Sequence, residues 1–191
     1  MPKDYDPAVT PAHAQRRPEL ALDDTGVRAV LASAPIGHVA TAWDGQPFLN
    51  PTTFWYDAAA HRVVFHSNVV GRLRANAEHD ARACFSASTF GRLLPSNVAL
   101  EFSIQYESVV VFGDLVVLAD PAEKRAALTG LISKYFPTMQ PGQEYRPITE
   151  AELKRTSVYA LTVRQWSGKR NWPDRADQSD AWPALAEHWF A

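Results

Sequence analysis

The alternation of apolar and polar positions changes period several times along this chain, and those changes predict its elements. From Met1 to about Leu20 there are four prolines and little periodicity. That predicts an extended arm, residues 1–22, ahead of one domain over 23–191. Across Asp23–Ser33 the spacing of Val27, Val30 and Leu31 fits one face of a short helix. Asp23 or Asp24 can accept its first free N–H groups, and Pro35 stops it. From Gly37 the period falls to two. Gly37–Trp43 reads as a strand, Asp44-Gly45 as a turn, and Phe48–Tyr56 as extended chain interrupted by Pro51. Proline cannot donate to a ladder, so Pro51 belongs at an edge, a bulge or a ligand-facing position. Asp57–His61 turns the chain. Arg62–Asn68 is a strand with Val64, His66 and Asn68 on one face and Val63, Phe65 and Ser67 on the other.

Gly71–His79 then predicts a short helix and Ala81–Ser88 a strand. Phe90–Val98, with Gly91, Pro95 and Asn97, reads as a loop. Leu100–Leu118 is a long β-type run, expected as two strands bent at Gly113. Asp120-Pro121-Ala122-Glu123 opens a helix that runs to about Tyr135 and stops at Pro137. A capping box over Thr149–Glu152 opens another near Ala151–Arg155. Ser157–Trp166 is the last strand, and Gly168–Ala191 forms a tail. The order is mainly β, antiparallel, with peripheral helices, and suggests a barrel.

Composition narrows the function. The 191 residues suit one domain. Nineteen basic against 21 acidic residues leave a net charge of −2, which excludes a strongly basic nucleic-acid binder. The single cysteine, Cys84, can form no internal disulfide and no multi-thiolate zinc site. No run approaches 18 apolar residues, and Met1–Pro11 is polar, so a soluble cytoplasmic protein is expected. Four of the six tryptophans, Trp166, Trp172, Trp182 and Trp189, crowd the last 26 residues.

The densest candidate chemistry is FHSNVVGRLRAN, Phe65–Asn76. A strand delivers imidazole, hydroxyl and amide groups to a glycine turn, and a helix follows with Arg72 and Arg74 in its first turn. Free N–H groups at a helix start favour an anion, and a guanidinium adds a bidentate partner. The competing reading is an ordinary strand-to-helix junction with solvated arginines. His66 is either a ligand contact or proton donor, or a half-buried histidine satisfied by a neighbour. His61, His66, His79 and Cys84 lack metal-binding spacing, so no metal is expected. Cys84 sits in an alternating strand as a small hydrophobe. No P-loop and no Gly-x-Ser-x-Gly elbow occurs.

Several ordered motifs carry a family resemblance: GHVATAWDGQPFLNPTTFWY, FHSNVVGRLRAN, LPSN, QYESVVVFG, LKRTSVY and WSGK. From about Ala29 to the C-terminus the chain resembles the FMN-binding split β-barrel superfamily of pyridoxamine 5′-phosphate oxidase-like proteins. Within it, the chain looks most like the Nim-type 5-nitroimidazole resistance branch. The resemblance implies a six-stranded antiparallel split barrel, homodimeric, with two sites at the subunit interface. It implies Arg72 on the FMN phosphate, helped by Ser67 and Asn68, with Phe65 on the same strand. Asn50, Pro51 and Thr52 would line the isoalloxazine ring, Ser108 would meet it from the sheet, and Trp166 and Lys169 would approach from the last strand. His66 matches the active-site histidine.

Many relatives carry lysine directly after that arginine; here it is Leu73, which removes one cation from the phosphate site. The Arg-x-His-x-Arg ending of true pyridoxamine phosphate oxidases is absent, which argues against vitamin B6 chemistry. The resemblance therefore implies a flavin-linked oxidoreductase acting on nitroaromatic or quinone-like molecules. It leaves open a non-catalytic flavin binder, a haem protein with His66 as axial ligand, and a flavin-free variant using His66 directly. In a dimer the tail would pack across the partner, with Trp166 and Trp172 near the ligand and Trp182 and Trp189 as anchors.

Overall fold

The computed structural model describes residues 5–190; Met1–Asp4 and Ala191, part of the predicted arm and tail, lie outside them. The strands are β1 (Ala21–Leu22), β2 (Gly37–Trp43), β3 (Gln46–Thr52), β4 (Phe54–Asp57), β5 (Arg62–Asn68), β6 (Arg82–Leu94), β7 (Ser103–Val117) and β8 (Thr156–Asn171). The helices are α1 (Asp24–Ser33), α2 (Arg72–His79), α3 (Pro121–Tyr135) and α4 (Glu150–Arg155). All strands join one antiparallel sheet in the order β3-β2-β6-β7-β8-β5-β4, with β1 on β8. The sheet coils as a split barrel that stays open between β3 and β4.

Eight strands form where six were expected. Phe48–Tyr56 divides at Thr53 into β3 and β4, and Ala21–Leu22 pairs with Gly168 and Lys169 as a further short strand. The expected loop over Phe90–Val98 is strand as far as Leu94, because β7 keeps pairing with it: Leu93 faces Ile104 across a bulge that absorbs Gly91 and Arg92. Leu100–Leu118 holds one strand rather than two, and only its register slips at Phe112/Gly113. The last strand runs five residues past Trp166, to Asn171.

Two apolar layers hold the sheet. The barrel core takes Val27, Val30 and Leu31 of α1 against Val39, Phe54, Phe85, Val109, Val111 and Tyr159, all at most 1 % exposed. Outside it, α3 lays Ala127 over Val64, Val158 and Ala160. Strands β5 and β8 are therefore covered on both faces, which explains their unbroken apolar runs Val63–Phe65 and Val158–Leu161. The predicted caps form: Asp23 accepts from Gly26 N–H, Asp120 from Glu123 N–H, and Thr149 with Glu152 makes the reciprocal box. Lys134 ties α3 to the end of α1 by donating to the carbonyls of Leu31 (3.0 Å) and Ala34 (2.9 Å). Among the described residues no helix is long and apolar enough to cross a membrane.

The bend of β7 against β8 depends on a missing side chain. A Cβ on Gly113 would lie 1.9 Å from the carbonyl oxygen of Thr162, a backbone atom that cannot swing away. Gly113→Ala should cost about 3 kcal/mol or more, at or above the top of the usual overpacking range. Urea denaturation checks this, and an unchanged midpoint would mean the strands do not approach so closely.

Candidate functional site

Strand β5 leaves the core carrying three polar groups to the end of the sheet. Its buried residues come first, with Val63, Val64 and Phe65 fully covered. Phe65 stacks on Tyr159 at 5.2 Å, so its side chain belongs to the core. His66 follows, exposed, with no protein hydrogen-bond partner among the described residues. Ser67 Oγ shares a hydrogen bond with the Tyr159 hydroxyl (2.9 Å) and donates to the Asn68 carbonyl (3.1 Å). Asn68 Oδ1 accepts from Val70 N–H at 3.1 Å and shapes the turn. Gly71 closes that turn at φ +149° and ψ 170°, a conformation open essentially to glycine alone.

Helix α2 starts immediately after Gly71, and no side chain caps it. Its first N–H groups thus have no partner inside the helix, and they carry the positive end of its dipole. The two arginines of the first turn divide. Arg74 is engaged, donating to Glu78 (2.6 Å) and to the buried Ser157 hydroxyl (3.0 Å). Arg72 is exposed and makes no ion pair or hydrogen bond among the described residues. Leu73, standing where many relatives carry lysine, is 4 % exposed and packs in the barrel core. Its side chain is therefore not available to a ligand at the helix start. What remains is an uncapped helix start beside one unengaged guanidinium, a donor set that fits a phosphate.

The other expected residues fall into separate places. Asn50, Pro51 and Thr52 lie on β3, at the sheet edge, opposite Val39, His38 and Gly37. Pro51 therefore occupies an edge strand, as its missing donor requires. Phe54 pairs with Phe65, so the chain between Thr52 and Phe54 passes beside His66 and Ser67 at the same end of the sheet. Ser108 and Lys169 face each other across β7 and β8. A long run of strand separates them from the cradle: β8 pairs Ser157 with Ser67 and reaches Lys169 twelve residues later. That is roughly 40 Å of strand at about 3.3 Å per residue.

Trp166 is placed in a group that sequence reasoning missed. Its indole N–H donates to Asp24 at 2.9 Å, Arg28 lies over it at 5.0 Å, and the His61 ring meets it at 4.7 Å. Arg28 donates to the Tyr56 hydroxyl (2.6 Å), which lies 2.7 Å from His61 Nδ1. Guanidinium only donates, so the Tyr56 proton is free to point at His61. No spacing rule joins Arg28, Tyr56, His61 and Trp166, because they come from four different elements.

One edge of His66 is open to solvent, but the protein packed around the rest of the ring removes enough water to lower its pKa below the ordinary 6.5, which favours the neutral form. Burial also pushes the Cys84 thiol up, away from thiolate chemistry. Among the described residues no three His, Cys, Asp or Glu side chains gather as metal ligands.

A split barrel with an uncapped helix start and an unengaged arginine at the end of β5 defines the class. The chain belongs to the pyridoxamine 5′-phosphate oxidase family, whose profile matches residues 23–170. Among solved structures it is similar to the flavocytochrome Anf3 from Azotobacter vinelandii, at 28 % identity and TM-score 0.79, over 91 % of this chain and 80 % of that one. It is also similar to an FAD and haem binding protein from Mycobacterium smegmatis, at 26 % identity and TM-score 0.72, over 83 % and 76 %. A third structure, described as a 5-nitroimidazole antibiotic resistance protein of Bacteroides thetaiotaomicron VPI-5482, shares the fold at 20 % identity and TM-score 0.67, over 79 % and 86 %. No curated protein matches the chain.

The lowered pKa of His66 has a consequence for stability. As pH falls, the unfolded chain takes up this proton first, so folding stability drops as pH falls through 6.5 toward the lower folded value. His66→Gln should flatten that part of the profile. Thermal melts between neutral pH and mild acid check it, and parallel profiles for the two proteins would refute the shift.

Proposed function

We propose that this chain is a flavin-binding redox protein whose site holds the flavin phosphate at the β5–α2 junction. The observation that carries the reading is Arg72, exposed and unengaged beside an uncapped helix start while its neighbour Arg74 is committed to Glu78 and Ser157. Phosphate oxygens would accept from the first N–H groups of α2 and from the Arg72 guanidinium. Ser67 and Asn68 hold the turn that positions them. The cradle accommodates FMN, and equally the diphosphate of FAD. The outer edge of β3 at Asn50, Pro51 and Thr52 offers backbone groups to the rim of the ring system. When bound, a flavin accepts hydride from a donor such as a nicotinamide and passes electrons to an acceptor.

The proposed acceptor is a small nitroaromatic or quinone-like molecule, taken through successive two-electron steps. His66, neutral and without an internal partner, stands beside the cradle, where its ring N–H would orient the acceptor by a hydrogen bond. A homodimer supports this arrangement. Ser108, Trp166 and Lys169 lie along β8 and β7 far from their own chain's cradle, and a second copy is the simplest way to bring such a strand to it.

A haem-binding variant is the second reading. It is favoured by the flavocytochrome and the FAD and haem binding protein, both above 25 % identity. A neutral His66 ring with two free nitrogens is suited to an axial position.

The absorbance spectrum of the purified protein, before and after titration with flavin and then haem, decides among these. The flavin reading expects flavin bands, and reoxidation of the reduced holoprotein by a nitroimidazole or quinone under anaerobic conditions. The haem reading expects a Soret band that His66→Ala removes. A colourless protein that takes up neither would refute both.

A further inference from the structure

Strand β7 outlasts one of its neighbours. Its last pair with β6 sets Asp114 opposite Arg82, and Leu115 N–H then reaches the Ala81 carbonyl. Beyond that point β7 continues to Val117 on β8 alone. The freed edge borders a cavity of about 550 Å³, walled by α2, the start of α3 and the end of α4. Its apolar lining is firm: Leu115 is 1 % exposed, Leu118 7 % and Ala77 8 %. Every wall comes from a single copy of the chain. Arg74 lines this cavity, whereas Arg72 stands about 200° away around the same helix. Cavity and cradle thus occupy opposite flanks of α2.

The polar part of the lining is cationic. Arg74, Lys124 and Lys154 share it with one carboxylate, Glu78. Lys124 donates to the Leu153 carbonyl. Lys154 is exposed and makes no ion pair or hydrogen bond among the described residues. Ser157, 1 % exposed, accepts from Arg74 at 3.0 Å, but its own hydroxyl hydrogen has no acceptor among the described residues. A buried donor left without an acceptor is costly, and an anionic oxygen in the cavity would satisfy it.

We propose that this cavity binds a phosphomonoester dianion carried on a nucleoside-sized body. Charge comes first. Three cations against one carboxylate leave an excess that matches a phosphomonoester, which carries about −1.5 to −2 at neutral pH. Lysines serve it as point charges, and the Ser157 hydroxyl adds a directed donor. Size follows. The volume lies within the usual range of roughly 300–1,000 Å³ for small-molecule sites, and a bare phosphate would leave most of it unfilled. Val69, Leu115 and Leu118 offer the apolar surface on which a base and ribose would pack. The site itself is independent of the flavin reading. One consequence rests on that reading: the hydride donor is NADPH, whose adenosine ribose carries a phosphomonoester, rather than NADH, whose ribose does not.

Calorimetric titration of the full chain with adenosine 2′-monophosphate tests the site without flavin chemistry. Saturable binding is expected, and adenosine, which lacks the phosphate, should bind at least about tenfold more weakly. Lys154→Glu reverses a charge at an exposed, unpaired position, so the chain still folds, as circular dichroism verifies. It should weaken nucleotide binding at least about tenfold, while Arg72→Ala leaves it unchanged. In turnover with a quinone acceptor, the KM for NADPH should lie at least about tenfold below that for NADH, and Lys154→Glu should remove the difference at unchanged kcat. No saturation below about 1 mM, equal binding of adenosine, indifference to Lys154→Glu, loss of binding in Arg72→Ala, or displacement by an equal concentration of inorganic phosphate would each overturn the site. Nucleotide binding with equal KM values for the two donors would overturn the donor assignment. Nucleotide binding in a chain that takes up no flavin would support the site and overturn the flavin reading instead.

Discussion

Strand β8 is the seam on which the rest of the molecule depends. It pairs with β1, β5 and β7, is covered on one face by the barrel core and on the other by α3, and passes close enough to β7 to require Gly113. Its start fixes the cradle, since Ser157 faces Ser67 and anchors Arg74 of α2. Its end carries Trp166 and Lys169 to the opposite side of the sheet. One strand thus orders both the β5–α2 junction and the group around Trp166.

The cradle shows how local choices leave one group available. Gly71 adopts a conformation other residues avoid, and the turn it closes starts a helix with nothing to cap it. Leu73 is taken by the core, and Arg74 is taken by Glu78 and Ser157. Arg72 alone remains uncommitted in that first turn. Helix ends that lack a cap are normally satisfied by water or ligand, and a guanidinium beside one favours an anion over a neutral group.

Much of the fold was legible where the signal is local. The caps at Asp23, Asp120 and Thr149 and the periods of α1 and β5 depend on residues a few positions apart, and they form as predicted. The errors arise where a distant strand overrides local chemistry. Gly91 reads as a loop residue, yet β7 keeps β6 paired through to Leu94. Gly113 reads as a break, yet β7 continues through it paired with Val163, and the extra residue of the bulge, Arg164, lies on β8. The strand-turn-helix junction from His66 to Arg74 was legible because it is one contiguous stretch. The Arg28–Tyr56–His61–Trp166 group and the cavity between α2, α3 and α4 were not, because each is assembled from elements that only the sheet topology brings together.

The central claim is that Arg72 and the uncapped start of α2 bind the phosphate of a flavin. Comparing FMN with riboflavin, which lacks the phosphate, tests this most directly, by quenching of flavin fluorescence on titration with the protein. Charge-assisted contacts at a helix start should favour FMN by about a hundredfold, roughly 2.7 kcal/mol, and Arg72→Ala should erase most of that difference. Equal affinities for the two flavins, or an FMN preference that survives Arg72→Ala intact, would contradict the account.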